Sequence, residues 1–165
     1  MKRPLILLTL LPAILALTLL GGLAGASIYC NARYGYCVNI PPSLFPQGES
    51  DNGDGEVFLS RDARVSLTVW ASHSLAGVPG ISFDARFRED VRGWPTGNGR
   101  SARVVTYTLR KPTFYVVSGL ENGKIFYQRT LNNSRSGTYA TYLLTYPEGH
   151  AANTLIKALN SSFHF

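Results

Sequence analysis

Hydrophobic and polar residues alternate along much of the chain, and this period of two predicts β-strands. In "RVSLTVWAS" (64–72), Val65, Leu67 and Val69 alternate with Ser, Thr and Trp, so the aliphatic face is expected to be core. "RYGYCVNIP" (33–41) and "EVFLS" (56–60) also have strand composition. The pattern therefore predicts three strands in the first part of the chain.

Two other stretches change to the period of an amphipathic helix. The apolar positions are Phe83, Phe87, Val91 and Trp94 in the first stretch, and Ala152, Ile156, Leu159 and Phe163 in the second. Ser82 is a suitable N-cap for the first helix, and Gly93 can end it. These residues predict one helix near the middle of the chain and one at its end.

Four further strand-like runs lie between the two helices, at 102–110, 113–119, 124–132 and 138–146. Short connectors with turn chemistry join them, which favours an antiparallel meander. The order βββ-α-ββββ-α predicts an α+β fold in which two helices cover an antiparallel sheet of about six to seven strands. We expect residues 27–165 to form one such domain.

The first 26 residues have the pattern of a signal peptide. Two basic residues precede an uncharged apolar run at 5–20, and "AGA" then ends at Ala26, where we expect cleavage. The alternative is an uncleaved anchor, because the run is long enough to span a membrane. In either case the domain is expected outside the cytoplasm, as a periplasmic or secreted protein.

Export changes the interpretation of the two cysteines. Cys30 and Cys37 would lie in a compartment where disulfides persist, so we expect a structural bridge between them. Redox pairs have two intervening residues, and this pair has more. Two free buried thiols remain an alternative.

The formal net charge of +6 comes from scattered basic residues, which is typical of a solvated surface, and export argues against a nucleic-acid partner.

The acidic stretch "DNGDGE" (51–56) invites comparison with a calcium-binding loop. An EF-hand loop needs a closing carboxylate six positions after its glycine, but Arg61 stands there when Gly55 takes the glycine position. Asn-Gly and Asp-Gly pairs are typical of turns. We expect a turn, no bound metal or other cofactor, and only as a weak alternative a calcium site using Asp51, Asn52 and Asp54.

Candidate catalytic residues do not form a recognisable motif. Ser118 lacks the glycine that a nucleophile elbow places two positions before its serine. No local spacing joins His73, His150 or His164 to a Ser or Cys. A hydrolase would therefore need a site assembled from distant residues, which remains an alternative.

Acidic and basic residues share the first predicted helix. Asp84, Glu89 and Asp90 are interspersed with arginines. Pairs four residues apart, such as Asp84 with Arg88, stabilise exposed helix faces. These charges are accordingly interpreted as a solvated face.

Tyrosines recur in the last four strands and give the candidate ligand face. Tyr107, Tyr115 and Tyr127, with Arg103 and Arg129, would form a flat binding surface if they point outwards. The alternative is that they pack beneath the helices. The sequence thus favours a non-catalytic binding or accessory module of the cell envelope, with a protein or glycan as its ligand.

A longer stretch carries a resemblance. "NARYGYCVNIPPSLFPQGESDNGDGEVFLSRDARVSLTVWAS" resembles the opening of a group of small, exported, largely uncharacterised bacterial proteins with an NGDG hairpin motif. The element order resembles the PsbP-like α/β/α sandwich of photosystem II extrinsic proteins. The resemblance implies a fold without implying photosystem function, and it brings no catalytic residues.

Overall fold

The computed structural model describes residues 25–74, 82–93 and 103–165. Most of the predicted signal peptide (1–24) and Trp94 of the first predicted helix lie outside these residues. Within the described ranges, no helix has the length and apolar character needed to cross a membrane.

The described residues form a series of strands interrupted by one helix and closed by a second. The elements are β1 (Ser27–Asn31), β2 (Tyr36–Ile40), β3 (Leu44–Glu49), β4 (Gly55–Ser60), β5 (Ser66–His73), α1 (Phe83–Arg92), β6 (Arg103–Arg110), β7 (Phe114–Glu121), β8 (Lys124–Asn133), β9 (Thr138–Tyr146) and α2 (Asn153–Ser162).

The main sheet has 7 strands in the order β3-β4-β5-β9-β8-β7-β6, and every neighbouring pair is antiparallel. Strands β1 and β2 form a separate hairpin. The predicted α+β class, the antiparallel sheet with two helices and the meander are therefore confirmed. One irregularity matters below: the register of edge strand β6 shifts between Val105 and Tyr107.

Two strands were not predicted as such. β1 is the outer strand of the hairpin, and β3 falls in a stretch predicted to be a loop because it contains Pro46 and Gly48. β3 is an edge strand, where a proline is tolerated because the missing N–H faces away from the ladder. The pairing of β3 with β4 also shifts register between Pro46 and Glu49.

Side chains alternate between the two faces of the sheet, and each face has its own core. The hairpin and α2 cover one face, where Tyr36 and Leu159 are buried together with Leu67 and Leu144 of the sheet. We call this the α2 side. Burial of such aliphatic and aromatic surface is the main stabilising contribution to the fold.

Helix α1 covers part of the opposite face, the α1 side. Phe83 and Phe87 of the helix pack on Tyr115, with ring centroids 5.1 and 5.3 Å apart. The Ser82 hydroxyl accepts a hydrogen bond from the Ala85 N–H at 3.1 Å, which confirms the predicted N-cap. The helix ends at Gly93, whose positive φ of 74° is a value that glycine adopts readily.

The predicted disulfide is confirmed. Cys30 and Cys37 lie directly opposite each other in the β1–β2 pair and are bonded. The bridge therefore links the two strands of the hairpin, whose Tyr36, Val38 and Ile40 belong to the core on the α2 side. Cys37 also forms a β-bridge with His164, which connects the hairpin to the end of the chain.

Replacing both cysteines, Cys30→Ser with Cys37→Ser, is expected to lower the free energy of unfolding by about 2.5 kcal/mol. This estimate follows from the loop entropy of a bridge between residues 7 apart in sequence. Urea unfolding of the wild type and the double variant measures the difference. Reductant should lower the free energy of unfolding of the wild type to that of the double variant and leave the variant unchanged. If reductant does not change the unfolding of the wild type, the prediction is wrong.

Candidate functional site

The most exposed apolar region of the main sheet lies on the α2 side of β6 and β7. Val104, Tyr107 and Leu120 are 59%, 52% and 43% exposed. The strand register places Val104 opposite Leu120 and Tyr107 opposite Ser118. We call this surface, with the half-buried Leu109, the open face.

The open face is a neighbourhood of exposed residues rather than a single exposed side chain. Large apolar residues exposed one at a time are common on soluble proteins, whereas contiguous apolar patches mark sites of interaction. Two hydrogen-bonded strands fix its backbone, so a ligand meets a surface that is already ordered. This arrangement suits binding more than chemistry.

A polar cluster borders the open face and anchors α2. The Asn160 side-chain oxygen accepts hydrogen bonds from the Tyr142 hydroxyl at 2.7 Å and from Arg129 Nη1 at 2.8 Å. Its Nδ2 donates to the Tyr127 hydroxyl at 3.0 Å. The Arg129 guanidinium lies over the Phe114 ring, 4.4 Å from its centroid. Burial raises the pKa of Tyr142, which therefore stays a neutral donor.

A second polar cluster lies beneath α1 and corrects the interpretation of Asp90 as part of a solvated face. Asp90 is only 6% exposed, and its Oδ2 accepts hydrogen bonds from the Tyr115 hydroxyl and from Gln128 Nε2, the latter at 2.6 Å. The Gln128 oxygen accepts from Arg103 at 3.1 Å, and Arg103 pairs with Glu121 at 3.0 Å. A chain of polar contacts therefore links α1 to three strands.

Burial raises the pKa of the Asp90 carboxyl. Hydrogen bonds from Tyr115 and Gln128 and the charges of Arg86 and Arg103 oppose this effect without cancelling it. Burial is also the main reason that the pKa of Tyr115 is raised, and the neighbouring carboxylate adds to it.

Asp84, for which the sequence predicted a pair with Arg88 on a solvated helix face, has a different partner. Asp84 forms an ion pair with Arg110 of β6, across the interface between α1 and the sheet, rather than with Arg88 of its own helix. Asp84 remains exposed, whereas Asp90 is buried between α1 and the sheet. Spacing along the helix could not reveal these cross-element partners.

The five residues of the candidate ligand face lie on both sides of the sheet. Tyr107, Tyr127 and Arg129 are on the α2 side, whereas Tyr115 and Arg103 lie on the α1 side and are buried. They therefore do not form one surface. The shift of register in β6 contributes, since it places Arg103 and Tyr107 on opposite faces although both are odd-numbered.

Loop 51–56 forms a turn. Gly53 has a φ of 64°, and its N–H donates to the Ser50 carbonyl at 2.8 Å. The two carboxylate oxygens of Asp54 accept hydrogen bonds from Ser50 and Asn52, at 2.6 and 2.9 Å. Among the described residues, no three His, Cys, Asp or Glu side chains are grouped to hold a metal ion. Asp51 is exposed at the tip of the turn.

One cavity contains residue types that a hydrolase would use. Ser60, Asp62 and His150 line a cavity of about 290 Å³. Ser60 donates to Asp62 at 2.6 Å, and no hydrogen bond among the described residues joins the His150 ring to either of them. The serine hydroxyl therefore lacks the hydrogen bond to a histidine that activates the nucleophile of a serine hydrolase.

Sequence reasoning missed Asn160 and Gln128, the amides at the centres of the two clusters. Each carries one polar group into a layer between helix and sheet. In the sequence, a single amide in an amphipathic segment does not indicate that it will form hydrogen bonds between a helix and the sheet. Only the packing shows that Asn160 has three partners.

The variant Asp90→Asn is expected to alter the pH dependence of stability. Because the pKa of Asp90 is raised in the folded state, its contribution is fully present below the pKa of the unfolded chain and is lost as the pH rises through the folded pKa. The variant cannot titrate, so its stability relative to the wild type should increase as pH rises from about 3 to about 8. Urea unfolding across this range measures the difference; a constant difference would contradict the assignment.

The variant Asn160→Ala is expected to lower the free energy of unfolding by about 2–3 kcal/mol, because it leaves buried donors of the cluster without an acceptor. Lys157→Ala, at an exposed position of the same helix, serves as the matched control and should change it by less than about 0.5 kcal/mol. Thermal and urea unfolding provide the measurement. Equal effects of the two substitutions would show that the cluster does not hold α2.

Comparison with known proteins identifies the fold. No protein-family profile matches the chain, and no curated protein does. Among solved structures, cyanobacterial PsbP (CyanoP) from Synechocystis sp. PCC 6803 is similar, with a TM-score of 0.61 and 18% sequence identity over 87% of this chain and 94% of that chain. The Ran-binding protein Mog1p of Saccharomyces cerevisiae is similar with a TM-score of 0.57 and 13% identity over 86% of this chain and 95% of its own. The chain therefore has a PsbP-like fold, as the order of its elements predicted.

Proposed function

We propose that this chain is a non-catalytic binding module of the cell envelope, which holds a protein partner on the open face. The observation that carries the proposal is the exposure of Val104, Tyr107 and Leu120 on two adjacent strands. Interfaces are built around such apolar and aromatic anchors, with tyrosine prominent among them.

The envelope location rests on two independent features. The pattern at 1–26 is that of a signal peptide, and the Cys30–Cys37 bridge belongs to an oxidising compartment. The bridge also stabilises the hairpin, which supports a role outside the reducing cytoplasm.

Binding is favoured over catalysis because two side chains that could act in catalysis, Ser118 and Asp90, already form hydrogen bonds within the fold. The Ser118 hydroxyl donates to the Phe126 carbonyl at 2.7 Å. Asp90 is buried and bonded to the sheet. A structural neighbour, Mog1p, is described as a Ran-binding protein, so this fold supports protein recognition in another chain. We take from it the class of ligand, a protein, and not the identity of the partner.

Site-specific photo-crosslinking of the full chain in its envelope tests the proposal. A photoreactive residue in place of Tyr107 should give one dominant protein adduct that mass spectrometry can identify. The control position is Ile28, which is 70% exposed and belongs to the hairpin rather than to the open face. The same residue placed there should not give this adduct.

Affinity measured with the identified partner, once purified, completes the test. Tyr107→Ser should weaken binding about tenfold or more, as expected for an aromatic anchor. Ile28→Ser should leave the affinity unchanged. Equal adducts from both positions, or equal loss of affinity in both variants, would refute a partner site on the open face.

A further inference from the structure

Two arginines on opposite faces of the sheet have closely similar surroundings. Arg103 lies over the Phe126 ring at 4.2 Å from its centroid, and its Nη1 donates to the amide oxygen of Gln128 at 3.1 Å. Its other edge is bound by a carboxylate: Nε and Nη2 donate to the two oxygens of Glu121 at 3.0 and 3.1 Å. A ring, an amide oxygen and a bidentate carboxylate surround this guanidinium.

Arg129 has the first two of these partners and lacks the third. It lies over Phe114 at 4.4 Å, and its Nη1 donates to the amide oxygen of Asn160 at 2.8 Å. Its Nε is buried without a hydrogen-bond partner, and neither ion pair among the described residues includes it. The edge that binds Glu121 in the case of Arg103 has no carboxylate in the case of Arg129.

The chain itself has no side-chain carboxylate in reserve for Arg129. All 10 Asp and Glu residues lie within the described residues, and none of them pairs with it. A buried donor without a partner is destabilising, and the planar guanidinium matches the bidentate geometry of a carboxylate. Since none of these ten carboxylates pairs with Arg129, a carboxylate at this edge of the guanidinium would come from another molecule.

The position of Arg129 indicates which kind of molecule supplies it. Arg129 is opposite Val116, and Val116 is opposite Leu109, so this cross-strand row runs from the half-buried guanidinium to the open face. By strand alternation, the described residues on the α2 side of β6 to β9 include no acidic side chain. A ligand that fits this surface combines apolar groups with a negative charge.

We propose that Arg129 binds the side-chain carboxylate of an Asp or Glu in the protein partner that docks on the open face. This inference rests on the proposed function and specifies the chemistry of the partner: an apolar segment with one acidic residue at its border. Arg129 is then the residue that fixes the position of this segment, because apolar contacts alone allow it to slide along the strands.

Titration with a small probe tests the site directly. The Nε–Hε signals of the arginines are followed by NMR while 3-phenylpropionate is added to the full domain, and 3-phenylpropanamide provides a neutral probe of the same shape. The Arg129 signal should shift saturably with the acid and not with the amide. The Arg103 signal should stay in place, because Glu121 already occupies its edge.

A pair of variants with the same charge change separates a specific site from a general ionic effect. Asn160→Asp supplies Arg129 with a carboxylate from its own chain and should weaken binding of the acid at least fivefold. Asn153→Asp adds the same charge at an exposed position of α2 and should leave binding unchanged. Similar shifts with acid and amide, an equal response of Arg103, or equal effects of the two variants would overturn the inference.

The outcomes also separate this inference from the proposed function. If a partner crosslinks at Tyr107 while the acid leaves Arg129 unaffected, the open face binds a protein and the carboxylate site is refuted. If the acid binds at Arg129 but no partner is captured at Tyr107, the carboxylate chemistry is supported and the assignment of the open face to a protein partner fails.

Discussion

The structure depends on the alternation of side chains between two sheet faces that are covered to different extents. Seven strands at about 4.8 Å spacing make a sheet about 29 Å wide, whereas a helix with its side chains is about 10–12 Å across. On the α2 side, the hairpin and α2 together protect β4, β5, β8 and β9. Of the other three strands, β6 and β7 keep exposed apolar side chains on this face, namely Val104, Tyr107 and Leu120. The open face thus exists because the sheet is wider than the elements that cover it. Its β-branched, aromatic and aliphatic side chains are types that suit a pleated surface.

A buried or half-buried polar side chain in a mainly apolar layer connects each helix to the sheet. Asp90 connects α1 to Tyr115 and Gln128, and Asn160 connects α2 to Tyr142 and Arg129. Apolar packing supplies most of the stabilisation but tolerates sliding and rotation. Directional hydrogen bonds with few alternative partners select one position for each helix. The two clusters therefore fix the position of each helix on the sheet. The Asn160 cluster, in which the Nε of Arg129 has no hydrogen-bond partner, lies beside the open face.

Much of the architecture could be predicted from local patterns, whereas the site could not. Turn residues and period-two runs predicted the meander β6–β9, and the serine N-cap and glycine end predicted α1. Strand β3 escaped detection because Pro46 suits only an edge, which is a tertiary property. Arg103 and Tyr107 were grouped in one candidate ligand face, and the register shift in β6, which local patterns did not reveal, places them on opposite faces. Asp90 has the same sequence signature as a solvated acid, and only the way α1 packs on Gln128 distinguishes it.

The bulge in β6 has a consequence for the behaviour of this protein at high concentration. An edge strand rich in valine, threonine and tyrosine is the kind of segment on which other chains assemble into fibres. The irregularity between Val105 and Tyr107 interrupts the row of backbone groups that such an incoming strand would need. The open face can therefore remain exposed for binding, while the irregular backbone of edge strand β6 disfavours the addition of further strands.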